Sequence, residues 1–133
     1  MPSARHVLLV DDHPENRALL AYVVPHFCSD VTIAEASDGI EALSAVAQQC
    51  PDLVITDVEM PIMGGLELIR TLRAQGMQMP ILAASSEPDL AKAILAAGAN
   101  HFLPKPFPLP ELRVLLRRLL RLDDAHAAQT AGE

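Results

Sequence analysis

"DLVITDVEMPIMGGLELIRTLRAQ", residues 52–75, changes its period part-way along. Its opening run, "DLVIT", is short, β-branched and apolar enough to read as a strand buried on both faces. Its closing run, "GLELIRTLRAQ", places Leu66, Ile69 and Leu72 on one helical face and turns Glu67, Arg70 and Arg73 elsewhere. A buried strand followed at once by an amphipathic helix is half of a βαβ unit. The same alternation recurs on either side. "HVLLV", "DVTIAEA", "PILAAS" and "HFLPK" read as strands, and "PENRALLAYVVPHF", "DGIEALSAVAQQC", "EPDLAKAILAAGA" and "PELRVLLRRLLRL" as helices. Five strand–helix repeats predict an α/β fold, a doubly wound five-stranded parallel sheet with helices on both faces. Pro104 in "HFLPK" cannot donate to a ladder, so the last strand belongs at an edge. These features fit the flavodoxin-like order 2-1-3-4-5, whose ligand site lies at the carboxyl ends of the strands.

At 133 residues the chain has room for one domain with a real core. The sequence divides it into a short lead (1–5), the α/β domain (6–122) and a polar tail (123–133) without apolar periodicity, expected to be disordered. Half the residues are hydrophobic but only 3% are aromatic, so the core is aliphatic. A formal net charge of −7 argues against a chain that grips nucleic acid or an anionic membrane directly. Cys28 and Cys50 show neither disulfide-framework nor zinc spacing. "MPSARHVLLV" has no apolar signal region, and no apolar run reaches membrane-spanning length. The expectation is a soluble, cytoplasmic protein.

The first strand ends on an adjacent acid pair, Asp11 and Asp12. Two such charges about 5 Å apart repel by roughly 3 kcal/mol at an effective dielectric of about 20. Either this is a solvated strand end leading to a helix cap, or a cation sits there. The predicted topology brings the end of strand 3, Asp57, beside the pair. Three carboxylates with no cysteine suit a hard divalent cation, Mg²⁺ before Ca²⁺. Strand 4 ends at Ser85 and Ser86, and strand 5 at Lys105, one of only two lysines against eight arginines. A cation, a hydroxyl and an ammonium around one carboxylate are all satisfied by a phosphoryl group bonded to that carboxylate.

At these residues, over roughly His6 to Leu122, the chain resembles the receiver domain of two-component response regulators. Asp11 and Asp12 match that family's acidic pair, and "DVEMPIMGG" its "D-x-x-M-P-x-M-x-G" loop, with Asp57 at the phosphoacceptor position. Ser85 matches the strand-4 hydroxyl, Lys105-Pro106-Phe107 the "K-P-F" ending, and Phe102 the aromatic switch position. Gly64 stands where the family often has Asp, Ser85 where Thr is commoner, and Phe102 where Tyr is commoner. The resemblance implies Mg²⁺ held by Asp11, Asp12, Asp57 and the backbone carbonyl of Glu59, with the Glu59 side chain solvated. It implies catalytic roles for Asp57, Ser85 and Lys105, a switch formed by Ser85 and Phe102, and a cis Lys105–Pro106 bond. The implied partner is a histidine kinase or phosphotransfer domain. His13 is left out of the ligand set, because Mg²⁺ prefers oxygen and Pro14 puts His13 in the turn that starts a helix.

Plainer readings exist for each position. Asp57 could cap a helix, Ser85 could be a small strand-end residue, Lys105 a solvated lysine and Phe102 an edge-strand core residue. Two competing functions also follow from the residues. "DVEMP" loosely resembles the D-x-D motif of haloacid-dehalogenase-like phosphatases, but Glu59 is the wrong acid and that nucleophile belongs on the first strand. A binding module that has lost phosphorylation would not keep every site position filled. The expected role is therefore a phosphoacceptor signalling domain rather than an enzyme acting on other substrates. For output, helix 5 aligns Leu112, Leu115, Leu116 and Leu119, with Arg113, Arg117, Arg118 and Arg121 away from that stripe. Four arginines against Glu111 make it net +3, a docking face for an acidic partner or for a second copy whose helix 4 bears Glu87 and Asp89. The surface involved would be helix 4, strand 5 and helix 5.

Overall fold

A computed structural model of the chain describes residues 4–122, so the expected polar tail lies outside the described residues. Five strands and five helices alternate: β1 (Arg5–Val10), α1 (Pro14–Phe27), β2 (Val31–Ala36), α2 (Gly39–Gln48), β3 (Leu53–Asp57), α3 (Gly65–Ala74), β4 (Ile81–Ser85), α4 (Ala91–Ala97), β5 (His101–Pro104) and α5 (Leu109–Leu119). The strands form one parallel sheet in the order β2-β1-β3-β4-β5, as the sequence predicts. Among the described residues β5 pairs with β4 alone, and Pro104 stands opposite Ser85 in that register.

Successive residues of a strand point to opposite faces, and the core divides accordingly. Leu8, Val10, Val54, Ile81 and Ala83 pack on the side covered by α2, α3 and α4. Val7, Leu9, Leu53, Ile55 and Leu82 pack on the other side, with Val24, Leu112 and Leu116 of α1 and α5. β3 and β4 are buried along their whole length. Each such Leu or Ile contributes about 1.5–3 kcal/mol by leaving water. A charge at Val54, fully enclosed in the strand between β1 and β4, would be buried without a partner in the layer under α2, α3 and α4.

Helix starts follow local chemistry. Pro14 opens α1, where a missing N–H costs nothing. Asp38 caps α2 by accepting the Glu41 amide at 2.9 Å, and Glu41 reaches back to the Ser37 amide at 2.9 Å.

Three details refine the sequence reading. The buried stripe of α3 is Leu68, Ile69 and Leu72, with Leu66 at its margin. Arg73, turned away from that stripe, acts as a staple: its guanidinium donates to the Gly98 and Met77 carbonyls and to Asn100 Oδ1 at 2.9–3.0 Å. The fourth helix is short, because Pro88–Leu90 form a separate 3₁₀ turn. Glu87 and Asp89 therefore lie before α4 and not on it.

Candidate functional site

The carboxyl ends of β1 and β3 lie side by side at the middle of the sheet, and this juxtaposition collects the acids. Asp11 follows β1 directly and is 4% exposed; Asp57 is the last residue of β3 and is 5% exposed. Asp12, the next residue, is partly exposed. Lys105 leaves the end of β5 and its ammonium lies 2.8 Å from Asp57 Oδ1 and 4.0 Å from Asp11 Oδ2. The Lys105 amide donates to the Ser85 carbonyl at 2.9 Å, which fixes where that side chain starts. The Lys105–Pro106 bond is cis, as the resemblance implies.

Burial pushes the Asp57 carboxyl above the usual carboxylate range; Lys105 opposes this, while Asp11 and Glu59 add to it. The ammonium thus keeps a desolvated acid usable. Behind it, Gly65 lies against the Asp57 carbonyl, and the Gly65 amide donates to the Val58 carbonyl at 2.9 Å. A Cβ on residue 65 would sit 2.5 Å from the Asp57 carbonyl oxygen, so only glycine allows α3 to start this close to β3.

The structure brings Asp11, Asp12, Asp57 and Lys105 together and sets Ser85 nearby on β4, fully buried. The Ser85 hydroxyl donates to Glu59 Oε1 at 2.6 Å and accepts from the Glu87 amide at 2.9 Å. The Glu59 side chain is therefore not merely solvated: although exposed, it occupies the hydroxyl. Phe102 is half-buried against the core layer under α2, α3 and α4. Arg117 turns back to the Phe27 carbonyl at the end of α1, at 3.2 Å, which removes it from the face that Arg113, Arg118 and Arg121 expose. Leu120 joins the buried stripe of α5, and Leu119 lies at its margin.

Sequence reasoning missed one neighbour of the acids, Arg17, and set another, His13, aside. The Arg17 guanidinium donates to the Asp11 carbonyl and, through Nε, to Glu35 at 3.0 Å. The His13 ring lies 3.4 Å from Asp11 Oδ1 and 3.3 Å from Asp12 Oδ1. One turn into a helix, Arg17 returns over the strand end, a placement the helical period alone could have suggested.

Asp11, Asp12, His13 and Asp57 each offer a ligand atom, and these atoms lie within 4.8 Å of one another. Asp12 Oδ1 is buried and has no hydrogen-bond donor among the described residues. A desolvated acceptor lacking a donor, amid other carboxylates, fits a divalent cation.

A family model described as "Response regulator receiver domain" matches residues 7–117. The chain belongs to the response regulator receiver family. It is 39% identical over 131 residues to the response regulator MprA of Mycobacterium ulcerans, covering 95% of this chain and 56% of that protein. It is 41% identical over 130 residues to the sensor protein EvgS of Escherichia coli, covering 96% of this chain and 10% of that protein. The solved chemotaxis response regulator CheY4 of Vibrio cholerae superposes with a TM-score of 0.79 at 31% identity, covering 88% of this receiver and 99% of that chain. The chain thus spans about half the length of the curated response regulators it matches, and a tenth of the sensor protein. This is a two-component receiver, from a signalling family, and the dehalogenase-like alternative is not favoured. Among the described residues no helix is long and apolar enough to cross a membrane.

Proposed function

We propose that this receiver accepts a phosphoryl group onto Asp57 from a phosphohistidine of a histidine kinase or phosphotransfer domain, in the cytoplasm, and acts on no other substrate. The observation that carries the reading is the 2.8 Å Lys105–Asp57 pair inside a cluster of acids. An oxygen of Asp57 attacks phosphorus, the P–N bond to the donor imidazole breaks, and the imidazole leaves with that electron pair and takes up a proton. In phosphoryl transfer positioning and charge neutralisation supply most of the catalysis. Asp11, Asp12, Asp57 and the Glu59 backbone carbonyl would hold Mg²⁺, which supplies neutralisation of the phosphoryl oxygens. Lys105 offers a compact second charge. Beside the carboxylates, a cleft of about 350 Å³ runs between α1 and the start of α5, walled by Leu19, Leu20, Leu103 and Phe107. A donor protein gains apolar surface to bury there while its phosphohistidine meets Asp57.

The signal leaves through Ser85 and Phe102. A phosphoryl oxygen on Asp57 draws the Ser85 hydroxyl inward, and Phe102 turns into the space beside β5. This reshapes α4, β5 and α5, whose exposed Arg113, Arg118 and Arg121 suit an acidic partner or a second copy. No direct contact with nucleic acid is part of this role.

Incubation with acetyl phosphate tests the chemistry. One phosphoryl group should be added, only with Mg²⁺, and none to Asp57→Asn. Mass spectrometry placing the label on Asp52 or a serine would overturn the assignment. Charge reversal at Arg118 and Arg121, with and without a beryllofluoride mimic, tests the output face. It fails if neither partner binding nor self-association responds.

A further inference from the structure

We propose that His13 is an additional ligand at the acid cluster and makes the site prefer first-row transition ions to Mg²⁺; this rests on the metal-dependent receiver reading above. In an octahedral shell with bonds of about 2.1 Å, neighbouring ligand atoms lie about 3.0 Å apart and opposite ones about 4.2 Å. His13 Nδ1 lies 3.4 Å from Asp11 Oδ1 and 3.3 Å from Asp12 Oδ1, so it is spaced as a neighbour of both. The four candidate ligand atoms fall within 4.8 Å, the span of one slightly expanded shell.

The backbone holds the ring there. The His13 amide donates to Asp11 Oδ1 at 2.9 Å, and Pro14 fixes the chain direction immediately afterwards. The ring is 57% exposed, so it can tilt the last few tenths of an ångström without disturbing packing. Asp12 Oδ1, buried and without a donor among the described residues, lies 3.3 Å from the ring nitrogen. A nitrogen donor matters because oxygen ligands suit Mg²⁺, while imidazole suits nickel, copper, zinc and iron. The competing explanation is an ion pair, with a protonated His13 neutralising the two acids. These differ in sign. A ligand that is removed weakens transition ions selectively, whereas a competing cation that is removed tightens every metal alike.

The test compares the whole chain with His13→Gln and His13→Asn, the second placing a favoured residue at the N-cap of α1. Calorimetric titrations use Mg²⁺ and Ni²⁺, counting only Ni²⁺ that excess Mg²⁺ displaces, so that His26 and His101 do not contribute. Loss of an outer-shell metal partner alone costs about 10- to 100-fold, so loss of a direct ligand should lower Ni²⁺ affinity at least about tenfold in both variants. Mg²⁺, which takes oxygen ligands and replaces a lost one with water, should keep its affinity within about twofold. Pulsed electron paramagnetic resonance of bound Mn²⁺ should show ¹⁴N coupling in the wild type and none in either variant. An unchanged Ni²⁺-to-Mg²⁺ ratio, absent ¹⁴N coupling, or equal tightening of both metals overturns the proposal while leaving the receiver reading intact. Failure of the wild type to bind Mg²⁺ at all overturns the metal site itself.

Discussion

Replacing Gly65 by alanine should damage stability and chemistry together, because this residue separates the phosphoacceptor strand from the helix behind it. The added methyl would lie 2.5 Å from the Asp57 carbonyl oxygen and 2.9 Å from Val58 Cα. Both obstacles are backbone, so no side chain can swing aside. β3 and α3 must part by roughly 0.5–1 Å to reach ordinary contact. Overpacking of this kind costs about 1–3 kcal/mol, while better helix propensity returns at most about 1 kcal/mol. The clash wins, and urea denaturation should show a net loss of about 1–2 kcal/mol. Displacement at Asp57 should also slow phosphorylation by acetyl phosphate by about tenfold or more, given that a 1 Å misplacement can cost about a hundredfold. Gly76→Ala is the control. Its φ of 81° makes alanine strained, yet nothing lies within 4 Å and the site is remote, so stability should fall by about 1 kcal/mol with the rate unchanged. A Gly65→Ala protein with wild-type stability and rate would refute the steric reasoning.

Asp57→Asn should be more stable than the wild type at neutral pH in metal-free buffer. Burial raises the folded-state pKa of Asp57 above 3.8, so the native state holds its proton longer and wild-type stability falls as pH rises through that window. The variant's advantage should therefore shrink to nothing below pH 3.8, as denaturation at stepped pH will show. Lys105→Arg keeps the charge but replaces a compact ammonium with a wide planar fork, so labelling by acetyl phosphate should slow markedly while folding persists. Ile62 is a β-branched residue at φ 69° and is 81% exposed. Ile62→Asn should raise the unfolding free energy by about 1 kcal/mol, read from the urea midpoint.

The fold was legible because strand burial and helix period are local signals. "DLVIT" reads as a doubly buried strand, and β3 is one along its whole length. Pro104 marked the edge strand through a missing donor. Strand order then placed Asp11, Asp12, Asp57 and Lys105 together without any view of side chains. What escaped was directional. Whether the Glu59 carboxylate meets solvent or Ser85 depends on the path of the β3–α3 loop, which no periodicity encodes. His13 was set aside on chemical preference, but its position follows from its own amide bonding back to Asp11. The helical period turned Arg73 off the apolar face but could not say that it reaches carbonyls 4 and 25 residues away. The single long helix expected before β5 is interrupted at Pro88–Leu90 by a turn whose Leu90 amide bonds the Glu87 carbonyl.

A hydroxyl has one proton to give, and that of Ser85 is already given to Glu59. In the proposed switch the phosphoryl group must therefore win it from a rival within the same molecule, so the transition is an exchange of partners and not a gain of one. Both bonds are charge-assisted, which leaves only their difference to set the resting bias, and each 1.4 kcal/mol of that difference is about tenfold in population. Because Glu59 is exposed, water weakens its hold on the hydroxyl, so in the proposed switch this one loop carboxylate sets what the phosphoryl group must displace.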